Sequence, residues 1–182
     1  MPKFVTYAEL KSYSSQPEAI NLEKAMKMRS FSNTTIFLSH SSKDHDLLPG
    51  VALILENHGG RVYVDEKDPQ LVSSNITEIA ERLRKVVKNC LKFVLFVTEN
   101  SKDSKWIPWE LGLGDGDLKE YNVALFPAAE KASEITWAEI EYLGLYKRIV
   151  WGELEGYEKP MWMVYDYRTN IGIPLHKWLT NG

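Results

Sequence analysis

From residue 35 onwards, short apolar segments alternate with longer segments in which apolar residues recur at helical spacing. Five of the short segments predict β-strands: TIFL (35–38), RVYV (61–64), KFVLFV (92–97), NVALF (122–126) and RIVW (148–151). The clearest helix lies between the second and third of these, where the apolar residues follow a helical period: Ile76, Ile79, Ala80, Leu83, Val86, Val87 and Cys90. Strands that alternate with helices favour an α/β fold with a doubly wound, mostly parallel sheet and helices on both faces.

The two ends of the chain follow this pattern less clearly. Residues 1–33 are polar and contain a helical stretch at residues 18–29. We interpret residues 1–33 as an accessory helical segment, followed by a main domain at residues 34–182 that includes a C-terminal extension. In that extension the Trp-rich segment 151–168 predicts a strand or a hairpin, and residues 174–179 predict a final helix.

Composition and charge agree with one globular domain. The chain has 182 residues, 44% of them hydrophobic, and a formal net charge of −3. This balance gives no sign of nucleic acid or an anionic membrane as a partner. Cys90 is the single cysteine, so we expect no internal disulfide and no zinc cluster. With no apolar run long enough to span a bilayer and no signal peptide, the expected location is the cytoplasm.

Polar loops follow the first three predicted strands. These loops begin at Ser39, Asp65 and Thr98. In a doubly wound sheet, ligands bind in the crevice beyond the carboxyl ends of the strands. The sequence therefore predicts a binding site built from these loops.

Three segments that contain these loops resemble the motifs of bacterial TIR (Toll/interleukin-1 receptor) domains. They are FLSHSSKD (37–44), GGRVYVDEKD (59–68) and KFVLFVTENSKDSKWIPWELG (92–112). The third includes a W-x-x-x-E pattern, formed here by Trp106 and Glu110. The resemblance covers residues 35–126, about half of the chain, and it is specific because three motifs occur in order at consistent spacing.

The resemblance implies a flavodoxin-like, mostly parallel, five-stranded sheet, which is the TIR fold. It also implies cleavage of NAD, the activity of TIR proteins in anti-phage defence systems such as Thoeris. NAD is then the substrate, and no further cofactor or metal is expected. The same resemblance implies a homo-oligomeric TIR–TIR assembly and a nucleotide product that acts on a downstream effector.

The chemistry of NAD cleavage needs an anion beside the ribose. Nicotinamide is a cationic leaving group that departs without a proton, while positive charge develops on the ribose carbon. A fixed carboxylate in a site shielded from water stabilises that charge. By its place in the motif, Glu110 is the predicted catalytic residue; taken alone, it could also be a solvated glutamate that favours a helix N-terminus.

Six further residues are candidates for substrate binding: Ser39, His40, Ser41, Asp65, Lys67 and Trp106. The two serines could meet the phosphates or ribose of the dinucleotide, or they could form turns and cap the next helix. His40 is expected to offer a flat face rather than to transfer a proton. Asp65 and Lys67 could contact substrate or a neighbouring subunit, or remain solvated. Trp106 could line the pocket or pack in the core.

Two functions remain in competition after this reasoning. The first is an NAD glycohydrolase or ADP-ribosyl cyclase, which makes an ADP-ribose-derived immune signal or depletes NAD. The second is a non-catalytic adaptor that acts through TIR–TIR assembly, against which Glu110 in the expected motif argues. A receiver-like domain is disfavoured because the third strand ends at Thr98 and Glu99 rather than at an aspartate. An enzyme resembling nucleoside deoxyribosyltransferases is a distant alternative.

Overall fold

The computed structural model describes residues 2–27, 35–64, 75–132 and 141–181. Within these ranges the centre of the molecule is an eight-stranded sheet in the order β3-β2-β4-β5-β6-β7-β8, with β1 paired to β5. The strands are β1 (Val5–Thr6), β2 (Ile36–Ser39), β3 (Val62–Val64), β4 (Lys92–Val97), β5 (Val123–Ala129), β6 (Lys147–Gly152), β7 (Met161–Asp166) and β8 (Ile171–Pro174).

Helices cover both faces of this sheet. They are α1 (Tyr7–Ser14), α2 (Pro17–Lys27), α3 (Leu48–Glu56), α4 (Ile76–Asn89), α5 (Ile107–Leu118) and α6 (Leu175–Thr180). Short 3-10 helices at Ser42–Leu47, Glu99–Asp103, Glu120–Asn122 and Glu141–Leu145 lie in the connections. None of the helices in the described ranges is both long and apolar enough to cross a membrane.

The five strands predicted from the sequence form the parallel part of the sheet. β2 pairs in parallel with β3 and β4, β4 with β5, and β5 with β6. The order β3-β2-β4-β5-β6 is that of a flavodoxin-like fold, which confirms the predicted fold class.

Alternation along the strands divides the core into two layers. On β4, Phe93 and Leu95 pack against α4 and α5, whereas Val94 and Phe96 pack against α1, α3 and α6. Because side chains alternate between the two faces of a strand, a strand that is buried on both faces is apolar throughout. This explains why KFVLFV is a continuous apolar run.

The N-terminal segment is joined to the sheet and to α3. Val5 pairs with Ala128 at the carboxyl end of β5, and Lys3 forms an antiparallel bridge with Trp151. α1 and α2 pack on α3, which is buried along nearly its whole length and is therefore apolar on all sides. The predicted N-terminal helix is α2, while the proposed division into residues 1–33 and 34–182 stays a prediction.

The C-terminal extension enlarges the sheet beyond the five predicted strands. β7 and β8 form an antiparallel hairpin on β6, and α6 follows directly. Thus the Trp-rich segment 151–168 contains β7, the first strand of this hairpin, whereas the second strand, β8, follows the segment. Trp162, Met163 and Val164 on β7 are all buried, so this strand shows no alternation of polar and apolar residues.

Candidate functional site

The side chains of Ser39 and Glu110 meet at the carboxyl edge of the sheet. Ser39 is the last residue of β2, and its Oγ donates a hydrogen bond of 2.5 Å to Oε2 of Glu110. Each residue is only 2% exposed. Two residues that the sequence predicted for the site are therefore in direct contact, although the site as a whole stays a prediction.

Strand alternation directs Ser39 towards Glu110. Phe37 lies in the core layer under α4 and α5, and Ser39, two residues further along β2, follows on the same face. α5 lies on that face, and Glu110 is in its first turn. The contact thus follows from the period of the strand and the position of the helix.

Small and apolar residues hold α5 close to the sheet. Ile107 and Leu111 are on the same helix as Glu110, and both are buried in the core layer between this helix and the strands. A Cβ atom added to Gly114 would lie 2.6 Å from the Phe93 ring, so only glycine permits this approach. Contact with β4 therefore explains Gly114, and the run GLGDGD (112–117) that contains it is part of a helix rather than a phosphate-binding loop.

The Ser39–Glu110 pair lies where the strand order reverses. From β2 the chain runs to β3 on one side, and then returns to β4 on the other side of β2. In sheets of this kind, ligands usually bind beyond the carboxyl ends of the strands at such a reversal, which here are the ends of β2 and β4. The pair joins the end of β2 to the helix that follows β4, so it lies at this expected position.

Trp106 directly precedes α5 and is half-buried. Its ring meets the Trp109 ring edge-on, with centroids 5.6 Å apart and planes at 81°. Arg84 on α4 lies 5.6 Å from the centroid of the Trp109 ring. Trp106 also packs against the core layer under α4 and α5, so core packing accounts for part of its surface.

The loop after β2 carries the other candidates. Ser41 is 5% exposed and caps the 3-10 helix Ser42–Leu47, because its Oγ accepts a hydrogen bond of 3.4 Å from Lys43 N. This contact matches the capping interpretation of Ser41. His40 is half-buried between the two serines. Asp65 and Lys67 lie outside the described residues.

Asp44 is a buried carboxylate that the sequence analysis did not single out. It is 2% exposed and accepts hydrogen bonds from Thr98 Oγ1 at 2.7 Å and from Asn100 Nδ2 at 2.6 Å. Burial raises the pKa of the Asp44 carboxyl above its ordinary value, while these two donors act in the opposite direction. A polar loop gives no local signal that one of its aspartates will be buried.

Among the residues that the structure describes, no group of three or more histidine, cysteine, aspartate or glutamate side chains is arranged to hold a metal ion.

Comparison with known proteins agrees with this architecture. The chain is 38% identical over 121 residues to a Bacillus cereus (strain MSX-D12) protein named "Probable 3' cyclic ADP-D-ribose synthase ThsB'". The match covers 65% of this chain and 62% of that relative. The family model for the TIR domain matches residues 36–159, which is more than half of the chain and contains Ser39, Trp106 and Glu110. The chain therefore belongs to the TIR domain family.

Proposed function

We propose that this chain cleaves the bond between nicotinamide and ribose in NAD, with Glu110 as the catalytic carboxylate. The observation that carries the proposal is the buried Glu110 side chain, hydrogen-bonded to Ser39 at the strand-order reversal. The name of the Bacillus cereus relative, a cyclic ADP-ribose synthase, supports the same substrate.

Cleavage moves the electron pair of the C–N bond onto nicotinamide, which leaves as a neutral molecule. The ribose carbon becomes electron-poor, and the Glu110 carboxylate stabilises it electrostatically. This stabilisation is strong when the carboxylate is shielded from water, because the effective dielectric constant in a buried site is low. The burial of Glu110 is therefore favourable for the reaction, provided that NAD enters from beyond the carboxyl ends of β2 and β4.

The nucleophile that captures the ribose carbon decides the product. A hydroxyl group of the same dinucleotide gives a cyclic ADP-ribose, and water gives linear ADP-ribose; in both cases the attacking oxygen loses a proton. We propose cyclisation as the main outcome, on the name of the relative, with hydrolysis as the competing outcome. The product would act on a downstream effector as an anti-phage signal, and depletion of NAD would accompany its formation.

The remaining predicted residues complete the proposed site. Ser39, His40 and Ser41 are at the end of β2 and in the loop after it, and Trp106 directly precedes α5; these positions support their proposed place around NAD. We propose that Asp65 and Lys67 close over NAD from the same or a neighbouring subunit. Such sharing would need a homo-oligomeric TIR–TIR assembly, and we propose the cytoplasm as its location because NAD is available there.

The test is nicotinamide release from NAD, combined with mass analysis of the products. Glu110→Gln keeps the size of the side chain and removes its charge, so we expect release to fall about 1,000-fold. Glu78→Gln is the matched control, because Glu78 also lies in the first turn of a helix but is exposed. A cyclic product is lighter than linear ADP-ribose by one molecule of water.

Three outcomes would contradict parts of the proposal. Unchanged release by Glu110→Gln would remove the catalytic role of this residue. No release by the unaltered protein at any concentration would favour the adaptor function. Specific activity that stays constant on dilution would contradict a site shared between subunits.

A further inference from the structure

We infer that Ser39 is a positioning residue: its hydroxyl orients the Glu110 carboxylate and does not bind the phosphates of the dinucleotide. This inference rests on the proposed catalytic role of Glu110. In this role the Ser39 hydroxyl acts on a carboxylate of the protein itself, whereas a serine of a phosphate-binding loop acts on the ligand.

The burial of the Ser39 hydroxyl requires a partner. Ser39 continues the face of β2 on which Phe37 lies in the core, and it is 2% exposed. A hydroxyl group buried at such a position is costly unless it forms a hydrogen bond. The described partner of its oxygen is Oε2 of Glu110, at 2.5 Å.

The donor capacity of serine separates the two possible roles. A serine hydroxyl has one hydrogen to donate and two lone pairs that accept. Phosphate oxygens are acceptors and therefore need a donor. The hydrogen of Ser39 is already directed to Glu110, so only its lone pairs remain, and these repel a phosphate oxygen.

Ser39 is held more rigidly than the carboxylate of Glu110. Their hydrogen bond can therefore restrict the position of that carboxylate. Ser39 lies on a strand that pairs with β3 and β4, and it is itself in register with Leu95 of β4. Glu110 projects from a helix on a long side chain with several rotatable bonds. A hydrogen bond from a stiff strand to the end of a flexible side chain restricts where the carboxylate lies, and such restriction is what catalytic positioning requires.

The test compares kcat with KM for NAD in three variants of the full chain. We expect Ser39→Ala to lower kcat about 10- to 100-fold, as misplacement of a catalytic group does, and to change KM little. Ser39→Thr keeps the hydroxyl and should restore most of kcat. Ser14→Ala is the matched control: its hydroxyl accepts a hydrogen bond of 2.9 Å from Gly50 N in the α1–α3 contact, so its loss should leave kcat unchanged.

A second measurement does not depend on turnover. We expect the carboxyl carbon resonance of Glu110, assigned by comparison with Glu110→Gln, to shift in Ser39→Ala and to stay in place in Ser14→Ala. In a Glu110→Gln background, the Ser39→Ala change should not lower residual activity further, because both changes act on one carboxylate.

Several results would overturn the inference. An increase in KM at constant kcat would show that Ser39 binds substrate, and an unmoved Glu110 resonance would show that the contact is absent. Additive losses in the double variant would show independent roles. If Glu110→Gln cleaves NAD normally while the resonance still responds to Ser39→Ala, the proposed function fails and the contact is structural only.

Discussion

Two buried carboxylates, Glu110 and Asp44, each connect the region of β2 with the region of β4. Glu110 reaches from the β4 side and Asp44 from the β2 side. Glu110 comes from the helix after β4 and binds the hydroxyl of Ser39 at the end of β2. Asp44 comes from the 3-10 helix after β2 and binds the hydroxyl of Thr98, directly after β4. Both side chains are 2% exposed. Burial therefore does not distinguish the carboxylate that we propose as catalytic from the other one.

The difference lies in what the partners connect. Asp44 has a second donor, Asn100, on the 3-10 helix that follows Thr98, so it fastens one loop to another. Glu110 connects the end of a central strand to the first turn of the helix that follows β4. We therefore assign loop attachment to Asp44 and chemistry to Glu110, and the predictions below separate the two roles.

The largest expected effect is on catalysis by Glu110. Glu110→Ala removes the anion beside the ribose and should lower kcat about 1,000-fold, as the loss of a preorganised electrostatic group does. Asp44→Ala should lower kcat per folded molecule less than about 10-fold, because the proposed mechanism gives Asp44 no contact with a reacting atom. Nicotinamide release, measured well below the unfolding temperature of each variant, decides this; equal losses would contradict the assignment.

The second-largest effect is expected on the free energy of unfolding, which should depend more on Asp44 than on Glu110. Asp44→Ala leaves the Thr98 hydroxyl and the Asn100 amide without their acceptor and should lower the free energy of unfolding by about 3 kcal/mol. Glu110→Gln preserves an acceptor for Ser39 and should change it by less than about 1 kcal/mol. Urea unfolding measures both. A more destabilising Glu110→Gln would show that Glu110 is mainly structural.

A smaller effect is expected in the pH dependence of stability. Burial raises the pKa of Asp44 in the folded state above its ordinary value of 3.8, so the folded protein binds this proton more tightly than the unfolded chain. The part of the stability that is linked to this proton is present below pH 3.8 and is lost as the pH rises through the folded pKa, whereas the hydrogen bonds from Thr98 and Asn100 are a separate contribution. Unfolding free energies of the unaltered protein and Asp44→Asn should therefore diverge over this range, with the unaltered protein losing relative stability. A constant difference would contradict this.

The smallest effect is expected at the surface of the same two loops. Lys43 and Asp103 form an ion pair of 3.2 Å with both side chains more than half exposed. Such pairs contribute little, so a double-mutant cycle on Lys43→Ala and Asp103→Ala should give a coupling free energy of at most about 0.5 kcal/mol. High salt should reduce it further. A coupling comparable to the Asp44 effect would show that the loops are held from outside rather than by the buried carboxylate.

Much of the fold could be predicted because local patterns encode burial. The five parallel strands and α4 followed from apolar runs and helical spacing. The strands β1 and β8 did not, and β7 was predicted only as a strand or a hairpin somewhere in residues 151–168. β1 is only two residues long, and its pairing with Ala128 and Ala129 depends on residues more than a hundred positions away. On β7, a run of buried residues removes the alternation that marks a strand.

The sequence by itself determined the fold class, the TIR resemblance and the candidate carboxylate Glu110, because strand and helix periods and ordered motifs are local properties. Only the tertiary structure decided that Ser39 and Glu110, 71 positions apart, form a buried hydrogen bond. It also decided that Asp44, in a polar loop, is buried and paired. The physical reason is that a polar side chain is buried only where another part of the chain supplies its partner, and that partner depends on the packing of the whole sheet.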